Sequence, residues 1–430
     1  MGDLTTYHLI IIFSFIIIIS YFFNLYSKKS GIPSVLLLIA FGVVINGVLS
    51  LFNVDVLSIN TKHNVLEVLG VVGLVLIVLE AALDLKLLRD KIGVIIKSLF
   101  VSIVGLGLTS FISSYLLSYF ISDLEMVNAL LFTIPLSILS SAIILPSIDS
   151  LEENKREFMI YESTFSDIIG IVGFYAVLSM VESNSPGNVL PDTFKGLFFT
   201  IIISVVISYV LISIFQNLKG HAKLFLLIAV LLLLYSVGKM LHLSSLIIIL
   251  IFGVILNNYR LFFKGFLNDF IIEEKVEGIL NNFKMITVES AFVVRTFFFI
   301  IFGWTISLVS LFSIKVFFYG FVLIAIIYFV RMLVLFIFNG TFRVSNVSPE
   351  LFLAPRGLIT ILLFYAIPDS ITKSYPEFSG VLLFVILASC LIMTWSLVRE
   401  KGKLERQEEE DFEIIDSDNL ELEEENIQEK

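Results

Sequence analysis

Seven charged residues stand inside otherwise apolar stretches of this 430-residue sequence: Glu80, Glu162, Asp167, Glu289, Arg295, Arg331 and Arg356. A carboxylate held away from water can take up either a proton or a dehydrated cation, and competition for one such group is the smallest machinery that exchanges the two. Charged side chains at mid-bilayer cost roughly 2.5–3.5 kcal/mol each on insertion scales, so those that persist face a pathway or a partner. Counting about 1.5 Å per residue from a helix start near residue 156, Glu162 lies roughly 9 Å deep and Asp167 roughly 16 Å, close to the midplane. Asp167 is the deepest acid. The bland alternative, an acid locked in a salt bridge, stays open at this point. Ser163 stands four residues before Asp167, on the same helix face, and could add a hydroxyl ligand.

The elements that must position these groups follow from composition. Hydrophobic residues make up 58% and charged residues 15% of the chain, against roughly 45–50% and about 25% in soluble domains. The bilayer must therefore be the solvent for most of it. Apolar runs long enough to cross about 30 Å of hydrocarbon predict an all-α, polytopic membrane protein of about thirteen transmembrane helices. They fall near 8–26, 33–51, 65–88, 93–119, 126–148, 156–181, 194–216, 222–241, 244–260, 287–309, 313–340, 349–366 and 376–398. The loops alternate in charge: eighteen Lys/Arg fall in one set and five in the other. This predicts a cell-membrane protein with the N-terminus outside and the C-terminus in the cytoplasm. The first span has no small-residue cleavage site and reads as retained.

The formal charge of −10 resides entirely in residues 400–430, which hold 14 acidic and 4 basic residues. Such a segment cannot build a core, so the expected organisation is a transmembrane domain over 1–399 and an acidic, disordered cytoplasmic tail over 400–430. Cys390 is the single cysteine and leaves no disulfide framework or thiolate metal cluster.

Proline marks two interruptions. Pro135 and Pro146 bracket Ser140 and Ser141 in the fifth span, and Ala354-Pro355-Arg356-Gly357 interrupts the twelfth. Proline removes a backbone donor and clashes with the preceding turn, freeing carbonyls and hydroxyls to meet a cation. Paired interrupted helices in two halves of a chain point to a midplane site at the interface of a repeat.

Several classes lose support. The external loops 52–64 and 182–193 are short and carry no cluster of His, Arg and carboxylates. No His-x-x-x-His, Gly-x-Gly-Asp or Ser/His pair lies at membrane depth, and His8, His63, His221 and His242 sit near span ends. An intramembrane enzyme is disfavoured, and no cofactor or nucleic acid is called for. A symporter for an organic solute needs more Asn, Gln or His in the spans than are present.

The residues resemble the monovalent cation:proton antiporter superfamily, the Na+/H+ exchangers and their prokaryotic relatives. Gly31-Ile32-Pro33 with Val35 to Asn46 resembles the family's second-span opening, and Leu79 to Leu85 resembles its "FEGGLxLD" element. Tyr161 to Asp167 is similar to the "ESxxND" ion-site motif. His242 to Ser245 resembles the entry to span 9, Pro355 to Leu358 the "GLRG" motif, and Arg331 an arginine in an "RxL" span. The resemblance implies the Na+/H+ antiporter fold, with inverted repeats and two interrupted helices, and a homodimer that exchanges Na+, K+ or Li+ for H+. It implies that Asp167 binds the transported Na+ or proton beside Ser166, Ser163, Ser140 and Ser141. It implies that Glu162 is a structural acid paired with Arg331, with Arg356, Arg295 and Glu80 as structural or gating charges. Ser166 stands where the family has Asn or a second Asp, which argues for electroneutral 1:1 exchange. Ser140-Ser141-Ala142 replaces "TDP", and the missing acid keeps a K+/H+ antiporter open. Arg295 either pairs with Asp167 in the empty site or packs with Glu289 or Glu80, the second being preferred.

Overall fold

The computed structural model describes residues 6–30, 32–51, 59–87, 90–148, 151–182, 189–218, 223–240, 245–265, 270–305, 313–340 and 342–428. The helices are α1 (Thr6–Ser30), α2 (Ser34–Leu51), α3 (Ile59–Asp84), α4 (Ile92–Phe120), α5 (Met126–Ser137), α6 (Ser141–Ile144), α7 (Glu153–Glu182) and α8 (Val189–Phe215). They continue with α9 (Lys223–Met240), α10 (Ser245–Asn257), α11 (Tyr259–Phe262), α12 (Glu273–Thr305), α13 (Ile314–Asn339), α14 (Leu358–Tyr365), α15 (Asp369–Thr372) and α16 (Glu377–Gln428).

Among the described residues nine helical segments are long and apolar enough to cross a membrane, and Ser34–Val48 and Ser245–Asn257 are shorter apolar helices. These segments do not by themselves reach the expected thirteen spans, and one of those spans is not a single long helix. Apolar run length measures only how much chain avoids water. Where a segment is wrapped by protein, its backbone can leave the helix and find partners in neighbours. The run at 349–366 does so, giving non-helical chain and then the eight-residue α14. Two boundaries also move. α12 starts at Glu273, inside the expected 260–286 loop, and α16 continues to Gln428 through the acidic segment whose composition predicts no structure.

The helices pack in two groups. α4 packs on α5, α7 and α13, α13 on α16, and α14 on α5. In the other group α12 packs on α2 and α3, and α10 on α3, α8 and α9. The α2–α12 seam is close because Gly42 faces the Ile300 carbonyl and Gly303 faces that of Ile39, leaving no room for a Cβ on either side. The groups meet where α7 touches α8, α3 and α10 and where α14 touches α3.

In the first group the two interrupted segments cross. α5, carrying Pro135, ends at Ser137. Ile138 and Ser140 are extended (φ −70°, ψ 132° and φ −84°, ψ 104°), and α6 resumes at Ser141. Opposite them, Pro355 lacks an N–H and biases Ala354 away from helix, so the chain runs unhelical through Gly357 until α14 begins. The Ser140 amide donates to the Pro355 carbonyl at 3.0 Å, joining the two breaks directly.

Candidate functional site

α7 delivers Asp167 and Ser166 to this crossing. Asp167 is 2% exposed. Its Oδ2 accepts from the Ser141 amide at 3.3 Å and from the Ser141 hydroxyl. Oδ1 is buried and has no hydrogen-bond partner among the described residues. Ser166 Oγ accepts from the Leu139 amide at 2.9 Å. Thus the donors released by the break in α5–α6 are taken up by adjacent residues of α7, as buried backbone groups require. The Ser163 hydroxyl instead turns back to the Ile160 carbonyl at 3.3 Å. Ser140 is buried, with its side chain against Gly357.

Arg356 secures the other side. Its Nε donates to the Leu136 carbonyl at 2.6 Å and its Nη1 to Ala354 at 3.3 Å, while its amide donates to Ser389 Oγ of α16 at 3.0 Å. The guanidinium lies at the C-terminal end of α5, where carbonyls lack partners and the helix dipole favours a cation. A Cβ on Gly357 would meet the Ser140 side chain and come within 2.8 Å of Ile143 Cδ1. Gly357→Ala is expected to force the breaks apart, at roughly 1–3 kcal/mol for overpacking. A lowered melting temperature with a reduced exchange rate is the expected result, and unchanged values of both would show that the crossing has slack.

Glu162 and Arg331 form a two-pronged pair, Nη1–Oε1 at 2.7 Å and Nη2–Oε2 at 3.0 Å. The guanidinium also donates to the Glu350 carbonyl, from Nε at 3.0 Å and Nη2 at 2.7 Å. α7, α13 and the start of the interrupted twelfth segment are clamped by one side chain, in the geometry that suits guanidinium and carboxylate best. Between this pair, Ser166 and Arg356 lies a cavity of about 30 Å³.

Arg295 does not reach Asp167. It pairs with Glu80, Nη1–Oε2 at 3.2 Å. Both line a larger cavity of about 600 Å³ between α1, α2, α3, α6 and α12, whose lining also includes Asp84, Glu289 and Ser141. Sequence reasoning missed Asp84, which lines this cavity and pairs with Lys284 at 2.5 Å. The signal was its spacing, four residues from Glu80 on one helix face. It also missed Ser20 and Thr296, joined across the same cavity at 2.6 Å, since no pattern in the sequence brings α1 to α12. Among the described residues no group of three or more His, Cys, Asp or Glu could hold a resident metal ion.

Two interrupted helices crossing beside a buried carboxylate, in a polytopic apolar bundle, define a secondary transporter. Residues 11–399 match the family described as "Sodium/hydrogen exchanger, transmembrane", and the chain belongs to that family. It is thus a multi-pass membrane protein of the cation:proton antiporters. The fold is similar to that of the sodium proton antiporter MjNhaP1 from Methanocaldococcus jannaschii. With the structure at pH 8 the TM-score is 0.67 at 20% identity, over 92% of this chain and 97% of that one. With a second structure, from an electron-microscopy map, it is 0.68 at 19% identity, over 93% and 97%. No curated protein matches the chain.

Proposed function

We propose that the chain exchanges Na+, or another monovalent cation, for H+ one for one by alternating access, and that Asp167 is the group for which the two ions compete. The observation that carries this is the state of its carboxylate: one oxygen held by Ser141, the other buried and unpartnered. An oxygen in that position gains from either a proton or a cation. Ser141, which holds Asp167, also lines the larger cavity, so that cavity would give access to the site from one face. Charge bias assigns that face to the cytoplasm.

The single ionisable carboxylate at the crossing favours 1:1 exchange. Glu162 cancels Arg331, and Arg356 balances an ionised Asp167, so the empty core is neutral. Either load leaves the same single positive charge, and the two crossings move equal charge. The group containing α5, α7, α14 and α16 would rock against α2, α3, α10 and α12, with the second group forming the contact of a homodimer. Residues 400–430 stand outside this machinery as a cytoplasmic tail.

Reconstitution in vesicles with a pH-sensitive dye and clamped voltage tests the reading. Addition of Li+, Na+, K+ or Rb+ to vesicles holding a pH gradient should dissipate it, independently of voltage, and the order of effectiveness names the cation. K+ leading the series would make this a K+/H+ antiporter, a cation-driven current would overturn 1:1 exchange, and silence toward every cation would overturn antiport.

A further inference from the structure

Two tyrosines tie α7 across the boundary between the packing groups, one on either side of Asp167. Tyr161 donates its hydroxyl to the Lys86 carbonyl, just past the end of α3, at 2.8 Å. Tyr175 hydrogen-bonds Tyr235 of α9, and the Lys239 ammonium lies 5.1 Å from the centre of the Tyr175 ring. At about 1.5 Å per residue the two ties stand roughly 21 Å apart along α7, with Asp167 roughly 9 Å from the first and 12 Å from the second.

Packing does not account for the Tyr161 hydroxyl. Its ring sits with Leu85, Ile95 and Phe165 in a small apolar cluster apart from the main core, where phenylalanine would fill the same space. Carbonyls at a helix end lack partners within it. Here Asn258 of α10 donates to the Leu85 carbonyl at 2.8 Å and accepts from the Leu87 amide at 2.7 Å. The second group thus serves its own backbone on either side of Lys86 and leaves that one carbonyl to α7. Elsewhere the groups meet through apolar contact, as where Leu362 of α14 lies against Gly70 of α3. Apolar contact has no direction and survives a slide, whereas a hydrogen bond weakens steeply as its angle opens. The two ties therefore fix one height of α7 against α3 and α9, the one at which Ser141 lines the larger cavity.

Resting on the reading of the two groups as the moving parts and of Asp167 as the exchange site, we infer that Tyr161 and Tyr175 are positioning residues. They hold α7 in the state whose cavity is open, and so set how the protein divides between its two faces. Both act through the height of α7 and not through contact with the ion.

The test is the KM for the cation that leads the series, on each face of vesicles with oriented full-length protein. Apparent affinity on a face follows the fraction of protein open to it, so the ratio of opposite-face KM to cavity-face KM reads the balance. One net hydrogen bond is worth roughly two- to tenfold in such a balance. Tyr161→Phe should lower the ratio by that factor, Tyr175→Phe likewise, and the double variant by about the product. Phenylalanine keeps both rings, so folded yield should hold. A single variant that leaves the ratio unmoved or raises it, or a double variant that moves it no further than the singles, would overturn the proposal. Leu145→Cys, just past α6 at the cavity wall, separates this from failure of the rocking itself. Cys390 is the single native cysteine and is buried, so a membrane-impermeant maleimide added on the cavity face reads that wall alone. Its labelling rate should change when the cation gradient is reversed. A constant rate would remove the rocking, whereas a changing rate with unmoved KM ratios would remove the tyrosine ties alone.

Discussion

Asp167→Asn is expected to abolish cation-driven proton movement while the chain inserts and folds. The amide is close in shape to the carboxylate, and its oxygen can still accept from the Ser141 amide and hydroxyl. The crossing of the two breaks should survive. What disappears is the buried carboxylate for which, on the proposed reading, the two ions compete. A second signature separates this from damage: the native protein buries a carboxylate with one oxygen unpartnered, a costly arrangement. The Asn variant should melt at or above the temperature of the unsubstituted protein even as exchange falls to background. Exchange surviving in oriented vesicles would end the assignment.

Glu162→Gln should do the reverse and act on the fold. Arg331 is 8% exposed and Glu162 1%, and removing one partner of such a pair strands the other charge, at roughly 3–5 kcal/mol. That is a large part of a typical folding free energy. Folded yield in detergent should collapse, and Arg331→Gln should match it. The exchanged double variant, Glu162→Arg with Arg331→Glu, should recover part of the yield. Recovery stays incomplete because Arg331 also serves the Glu350 carbonyl from α13, a reach that an arginine on α7 does not share. Single variants with normal yield, or a double variant no better than the singles, would show that the clamp is dispensable.

The contrast between these two acids on one helix was partly legible in the sequence. Depth along a single span needs only the rise per residue, so Asp167 stood out, and proline chemistry located both breaks to within a residue or two of Ser141 and Leu358. Partners across spans were harder. Glu162 with Arg331 came from resemblance, since nothing in linear order brings residue 162 to 331. Arg295 was preferred beside Glu289 or Glu80 over Asp167, but which acid it meets was not legible, because its direction around α12 depends on how that helix packs against α3. Ser166 was marked as a neighbour of the bound ion and as the place of a missing acid. Its use as an acceptor for the Leu139 amide follows from where the neighbouring helix opens, a tertiary fact. The run at 349–366 departs from a single long helix for a related reason: hydropathy detects lipid-like chain, and the crossing is lined by protein.

The crossing has a consequence for ion choice. Ser140 is tied to Pro355, Leu139 to Ser166, Leu136 to Arg356 and Arg356 to Ser389, so the ligands around Asp167 are stitched together from four segments that belong to one packing group. Under the proposed alternating access, a cage so braced would travel without being taken apart, and an ion would meet the same aperture whichever compartment it came from. The ranking of cations by radius should then be identical for influx and efflux, even where the absolute concentrations needed differ.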